Sequence, residues 1–134
     1  MQVFDCFMYY NEDTILDLRL NYLNKYIDYF IIVESTFNHR GQKKDLNFNI
    51  DKFKKFENKI KYFILDSHPP DVEEIDPNDS ENEKSRKYIL NGYRRDNYQR
   101  NYLSEGINYA NEDDIIFISD IDEIPKLENI NLKM

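Results

Sequence analysis

The sequence predicts an α/β fold with a mostly parallel sheet flanked by helices. Three observations predict it. Four short, nearly continuous apolar runs recur along the chain, at residues 3–10, 29–33, 60–65 and 114–119. Stretches with helical spacing separate them, and each run ends in polar residues. Continuous apolar strands that alternate with helices belong to sheets buried on both faces. Ligands of such sheets bind beyond the carboxyl ends of the strands.

The elements follow in order. Val3, Phe4, Cys6, Phe7 and Met8 make the first strand, and Asn11, Glu12 and Asp13 supply turn and cap chemistry. Ile15, Leu16, Leu18, Leu20, Leu23 and Ile27 then predict a helix over 14–25. Tyr29 to Val33 is a strand that ends at Glu34, and residues 35–46 are a polar loop. Ile50, Phe53 and Phe56 predict a short helix, and Ile60 to Leu65 a third strand ending at Asp66. Residues 66–83 hold Pro69, Pro70, Pro77 and many acids, so they read as an exposed, mobile loop. Residues 84–110 are helical with a break expected at Gly92, and Ile115 to Ile118 form a fourth strand. The order is βαβαβαβ, without internal repeats.

A chain of 134 residues suits one domain, here 1–134. Eleven Tyr and nine Phe supply much of its core volume in the absence of Trp. A net charge of −8 argues against nucleic-acid or anionic-membrane partners, which want a basic face. The single cysteine, Cys6, excludes an internal disulfide and reads as a small buried hydrophobe. No apolar run approaches the roughly 20 residues of a membrane span. The amino terminus lacks a basic-then-apolar leader, so a cytoplasmic location is the expectation.

The chemistry centres on Asp120-Ile121-Asp122. On an extended segment, residues i and i+2 point the same way. Asp120 and Asp122 then offer a hard-oxygen site for Mn²⁺ or Mg²⁺, completed by water and substrate phosphates. Such a cation neutralises charge that grows on a nucleoside-diphosphate leaving group. Asp-x-Asp is common by itself; its position after four apolar residues, closing a βα series, gives it weight. Arg94, Arg95 and Arg100 with Asn101 precede that strand, and the planar fork of Arg suits diphosphate, with Arg100-Asn101 the favoured pair. Glu34, at the end of the second strand, can accept from ribose hydroxyls or a base N–H. His39-Arg40-Gly41 offers a phosphate or sugar contact. No Ser-x-Gly elbow, Walker loop or G-x-G-x-x-G is present, and two histidines cannot build a polyhistidine centre. The segment after Asp122 lacks the glycine and ligand spacing of an EF-hand.

On these residues the sequence resembles glycosyltransferase family 17, which includes enzymes that add bisecting N-acetylglucosamine to N-glycans. The resembling stretches are Asp5 to Glu12, Val33-Glu34-Ser35, Phe37 to Gly41 with Lys43-Lys44, Gln99-Arg100-Asn101, and Asp114 to Pro125. Ser119-Asp120-Ile121-Asp122-Glu123-Ile124-Pro125 is the most specific. The resemblance implies a GT-A (Rossmann-like) fold, a UDP-N-acetylglucosamine donor, a glycan acceptor, a divalent cation and an inverting transfer. It implies contacts to the nucleotide-sugar from Tyr9, Asn11, Glu34 and Arg40. Further contacts would come from Arg100, Asn101 and Asp120, with Asp120 and Asp122 on the metal. A GT-A enzyme normally continues past its metal motif with the strands that carry the acceptor site and the general base. This sequence stops at Met134, so the base is expected outside it, and a second copy or a completing chain is an expected partner. A non-catalytic nucleotide-sugar-binding fragment is the alternative. A haloacid-dehalogenase-type phosphohydrolase also places Asp-x-Asp after a buried strand, but there the motif opens the fold rather than following the fourth strand.

Overall fold

The computed structural model describes residues 1–132; Lys133 and Met134, the last positions of the expected domain, lie outside the described residues. Its elements are β1 (Val3–Met8), α1 (Asp13–Leu23), β2 (Tyr29–Ser35), a 3-10 helix (Ile50–Phe56), β3 (Ile60–Leu65), α2 (Glu81–Tyr102), a second 3-10 helix (Leu103–Ile107) and β4 (Ile115–Ile118). The four strands form one sheet in the order β3-β2-β1-β4, and every pairing is parallel. The α/β class with a parallel, helix-flanked sheet is therefore the fold of this chain.

Strand alternation explains the two core layers. On β1, Val3 and Phe7 face the layer that holds Leu16, Leu20 and Leu23 of α1 with Phe30, Ile32, Phe53 and Phe56. Phe4 and Cys6 face the other layer, with Ile31, Val33, Leu65 and Leu103. Burial raises the thiol pKa of Cys6 to about 12, so it packs as an inert hydrophobe. Asp5 shares the parity of Val3 and Phe7, which aims its carboxylate at α1.

The connection from β3 through α2 returns the chain across the sheet to pair β4 with β1. The strand order reverses there, and a crevice opens between the carboxyl ends of β1 and β4. Three local expectations change. Gly92 does not break α2: a Cβ there would meet nothing nearer than the His39 carbonyl at 3.8 Å. The glycine that matters is Gly106, where a Cβ would lie 2.2 Å from Ile31 Cγ2, so the second 3-10 helix can lie flat on β2. The acidic Pro-containing loop is not free: Asn91 on α2 exchanges hydrogen bonds with the Glu73 main chain at 2.9 and 2.8 Å, and Lys87 holds Asp79 at 2.6 Å. Ser80 caps α2 by accepting from the Glu83 N–H at 3.1 Å, which starts the helix at Glu81 rather than Lys84. Among the described residues no helix is long and apolar enough to cross a membrane.

Candidate functional site

A cavity of about 470 Å³ lies over the carboxyl ends of the strands. Tyr9, Tyr10 and Glu12 enter it after β1, Ser35 from the end of β2 with Phe37 and His39 after it, and Ser67 and His68 after β3. Arg95, Gln99 and Arg100 reach it from α2, and Asp120 and Asp122 from the segment after β4.

That last segment is a turn, not an extended strand end as its sequence suggests. The Glu123 N–H donates to the Asp120 carbonyl at 2.9 Å, and Glu123 Oε1 accepts from the Asp120 N–H at 2.9 Å. Ile121 is buried beneath it, as its place in the motif requires. Asp120 Oδ1 accepts from Arg100 Nη2 at 3.1 Å, and the same Nη2 donates to Asp96 at 3.3 Å.

The turn is fixed from below by Arg19, which is fully buried. Arg19 grips Asp5 with two hydrogen bonds of 2.8 and 2.6 Å and lies over the Phe7 ring at 4.7 Å. Its Nη1 donates to the carbonyls of Asp120, Ile121 and Glu123 at 2.9, 3.2 and 2.9 Å, and its Nη2 to Ser119 Oγ at 2.7 Å. Burial pushes the Asp5 carboxyl above its ordinary value, while Arg19's hydrogen bonds and charge pull it back. A buried ion pair therefore sets the backbone that presents both carboxylates. Sequence reasoning passes over this pair, although two signals exist: an acid inside an apolar strand, and an arginine on the face of α1 that carries Leu16, Leu20 and Leu23.

Glu34 lies elsewhere than its motif suggests. It is fully buried and does not line the cavity. Its carboxylate accepts from Lys44 Nζ at 2.6 Å, the N–H groups of Asn47 and Phe48 at 2.7 and 3.0 Å, and the Tyr62 hydroxyl at 2.7 Å. It is the knot that closes the loop after β2. Tyr9 lines the cavity but gives its hydroxyl to Asp13 at 2.5 Å. Asn11 and Asn101 are exposed and outside the lining, and Arg40 lies beside a neighbouring pocket. The structure thus gathers Tyr9, Arg100, Asp120 and Asp122 around one cavity and leaves Asn11, Glu34, Arg40 and Asn101 off its wall.

The carboxylates fit a hard divalent cation of limited protein ligation. Asp122 is exposed, and Arg100 engages only one oxygen of Asp120. No group of three or more His, Cys, Asp or Glu side chains gathers as a metal cage among the described residues. Such a donor set suits Mg²⁺-like chemistry, in which substrate phosphates and water fill the remaining positions.

The family model for glycosyltransferase family 17 matches residues 1–134. The chain belongs to this family. Among curated proteins it is similar to the human beta-1,4-mannosyl-glycoprotein 4-beta-N-acetylglucosaminyltransferase, at 26% identity over 90% of this chain and 21% of that protein. The rat protein of the same name matches at 26% and the mouse protein at 25%, each with the same coverage. The chain thus spans about a fifth of the length of the curated relatives it matches. No solved structure matches it.

Proposed function

We propose that the cavity is the nucleotide-sugar site of a metal-dependent glycosyltransferase, which moves N-acetylglucosamine from UDP-N-acetylglucosamine to a glycan acceptor with inversion. One observation carries the reading: Asp120 and Asp122 stand on a turn locked by Arg19 at the β1–β4 switch point, lining the same cavity as Arg95 and Arg100 of α2. The names of the mammalian relatives supply the sugar and the acceptor class. Asp120 and Asp122 would hold Mn²⁺ or Mg²⁺, which supplies charge neutralisation at the diphosphate. Arg100 keeps the Asp120 carboxylate oriented.

Calorimetric titration of UDP with and without Mn²⁺ tests this. Mn²⁺ should strengthen UDP binding, and Asp122→Ala should abolish that gain while the exposed site leaves the fold intact. Equal Mn²⁺-dependent heats for the wild type and Asp122→Ala would remove Asp122 from the metal.

A further inference from the structure

Of the four arginines on α2, three make ion pairs: Arg86 with Glu73 and Glu83, Arg94 with Asp71, and Arg100 with Asp96 and Asp120. Arg95 makes none among the described residues. The cavity's other Lys and Arg side chains are engaged as well, Lys44 by the buried Glu34 and Arg100 by its two carboxylates. Arg95 stands at the wall between the main cavity and a second pocket of about 380 Å³, lined in part by Gly41, His68 and Tyr88. Glu73 and Glu74 also line that pocket, and neither pairs with it.

The seat of this guanidinium is built. Its Nη1 donates to the His39 carbonyl at 2.9 Å. Gly41, at φ +81°, packs against the guanidinium: a Cβ there would lie 2.4 Å from Nη2 and 2.6 Å from Cζ. The positive φ favours glycine, and a Cβ there would push the guanidinium out of this seat. The contact leaves Nε buried without a hydrogen-bond partner, and desolvation lowers the Arg95 pKa from its ordinary value. An uncompensated, partly desolvated cation is costly to hold. In a chain of net charge −8 with 26 Asp and Glu residues, a carboxylate partner is the easy remedy, and none is supplied.

We propose that Arg95, seated by Gly41 and the His39 carbonyl, receives an oxyanion of the ligand that enters this cavity. Resting on the nucleotide-sugar reading, the inference deepens it: the oxyanion is a phosphate of the nucleoside diphosphate. Arg95, not Arg100, is its cationic contact, because the charge of Arg100 is already offset by the Asp96 and Asp120 carboxylates at its Nη2, whereas Arg95 has no carboxylate partner among the described residues.

The experiment titrates UDP, uridine and inorganic pyrophosphate into the wild type, Arg95→Ala, Arg95→Lys and Gly41→Ala at fixed Mn²⁺, with thermal melts to verify folding. Arg95→Ala should weaken UDP and pyrophosphate by about ten- to a hundredfold, the range of a lost charged hydrogen bond, and leave uridine unchanged. Arg95→Lys keeps the charge but not the fork, so it should recover part of that loss. Gly41→Ala should weaken the same two ligands by displacing the guanidinium. Arg95-dependent binding of pyrophosphate without any binding of UDP would support the oxyanion contact while sinking the nucleotide reading. The oxyanion contact is overturned if Arg95→Ala binds UDP and pyrophosphate as the wild type does. Equal losses for UDP and uridine, or wild-type protein that binds neither anion, would overturn it too.

Discussion

The two walls of the cavity are built differently. The wall of β1, α1 and the Asp120–Glu123 turn is anchored by Asp5 and Arg19, both fully buried and mutually hydrogen bonded. The wall of α2 has one buried residue, Asn91, and its charged side chains meet partners at the surface. The first wall presents carboxylates from a backbone that cannot shift without breaking a core ion pair. The second presents cations at the ends of long side chains on a helix with little buried surface, Arg100 held by surface ion pairs and Arg95 by the His39 carbonyl and Gly41. For the proposed ligands, a metal needs oxygens fixed by the backbone, whereas a flexible diphosphate can be met by the planar fork of a long side chain. The difference between the walls matches the difference between those two demands.

The sharpest way to break this comparison is at Arg19. Arg19→Met strands the Asp5 carboxylate in the core and removes the donor to three turn carbonyls. Removing one partner of a buried pair costs about 3–5 kcal/mol. Urea unfolding should show a loss in that range. The double variant Asp5→Leu with Arg19→Met should regain part of it, since no charge is then left unpaired. A single variant as stable as the wild type would mean that the turn is held by something other than this pair.

A smaller loss is expected at Glu34. Glu34→Gln replaces an acceptor of four protein hydrogen bonds with a group that is half donor, and it faces the N–H groups of Asn47 and Phe48. Bonds to charged groups contribute about 1.5–3 kcal/mol. Because Glu34 closes the loop instead of lining the cavity, its variant should lower stability more than it lowers UDP affinity per folded molecule. A variant that folds normally and loses only nucleotide would return Glu34 to the ligand.

The sequence makes some of this legible and not the rest, for physical reasons. Strands buried on both faces carry long apolar runs, so β2 stands out from Tyr29-Phe30-Ile31-Ile32-Val33. The run Ile115-Ile116-Phe117-Ile118 reads the same way, but β4 is an edge strand whose Ile116 and Ile118 are exposed, so its apolar run marks the strand without marking burial on both faces. The polar ends of both strands reveal where the crevice lies once the sheet is parallel. The role of Glu34 is not legible. An acid at a strand end looks the same whether a ligand or a returning loop satisfies it, and Lys44, Asn47 and Phe48 reach it only through the turn at Gly41. Arg19 is half legible. Its charge is anomalous on an apolar helix face, but its targets lie about a hundred residues away and are set by the β1–β4 pairing. Local periodicity carries no information on such long closures. The Asp-x-Asp turn is partly the same case: Glu123 closes it locally onto Asp120, and Arg19 of α1 fixes its carbonyls from about a hundred residues away.

The smallest effect is expected on the second wall, at Asn91. It is the only buried residue of α2, and it satisfies both the N–H and the C=O of Glu73. Asn91→Ala leaves those two backbone groups unpaired, which in a closed interior would cost about 1–3 kcal/mol. Here the strap lies at the surface, where Asp71, Glu74 and Asp76 border water, so the chain can open locally and rehydrate. The loss in global unfolding should therefore sit at or below the low end of that range. The change should appear instead in amide exchange, with protection at Glu73 lost while β1 and β2 keep theirs. Arg95 lies one helical turn beyond Asn91 on the same helix and borders the same pocket, so release of the strap should also loosen the cationic wall. Exchange that accelerates in the sheet as well as at Glu73 would show that the two walls share one cooperative unit, and the contrast between a core-anchored and a surface-held wall would fail.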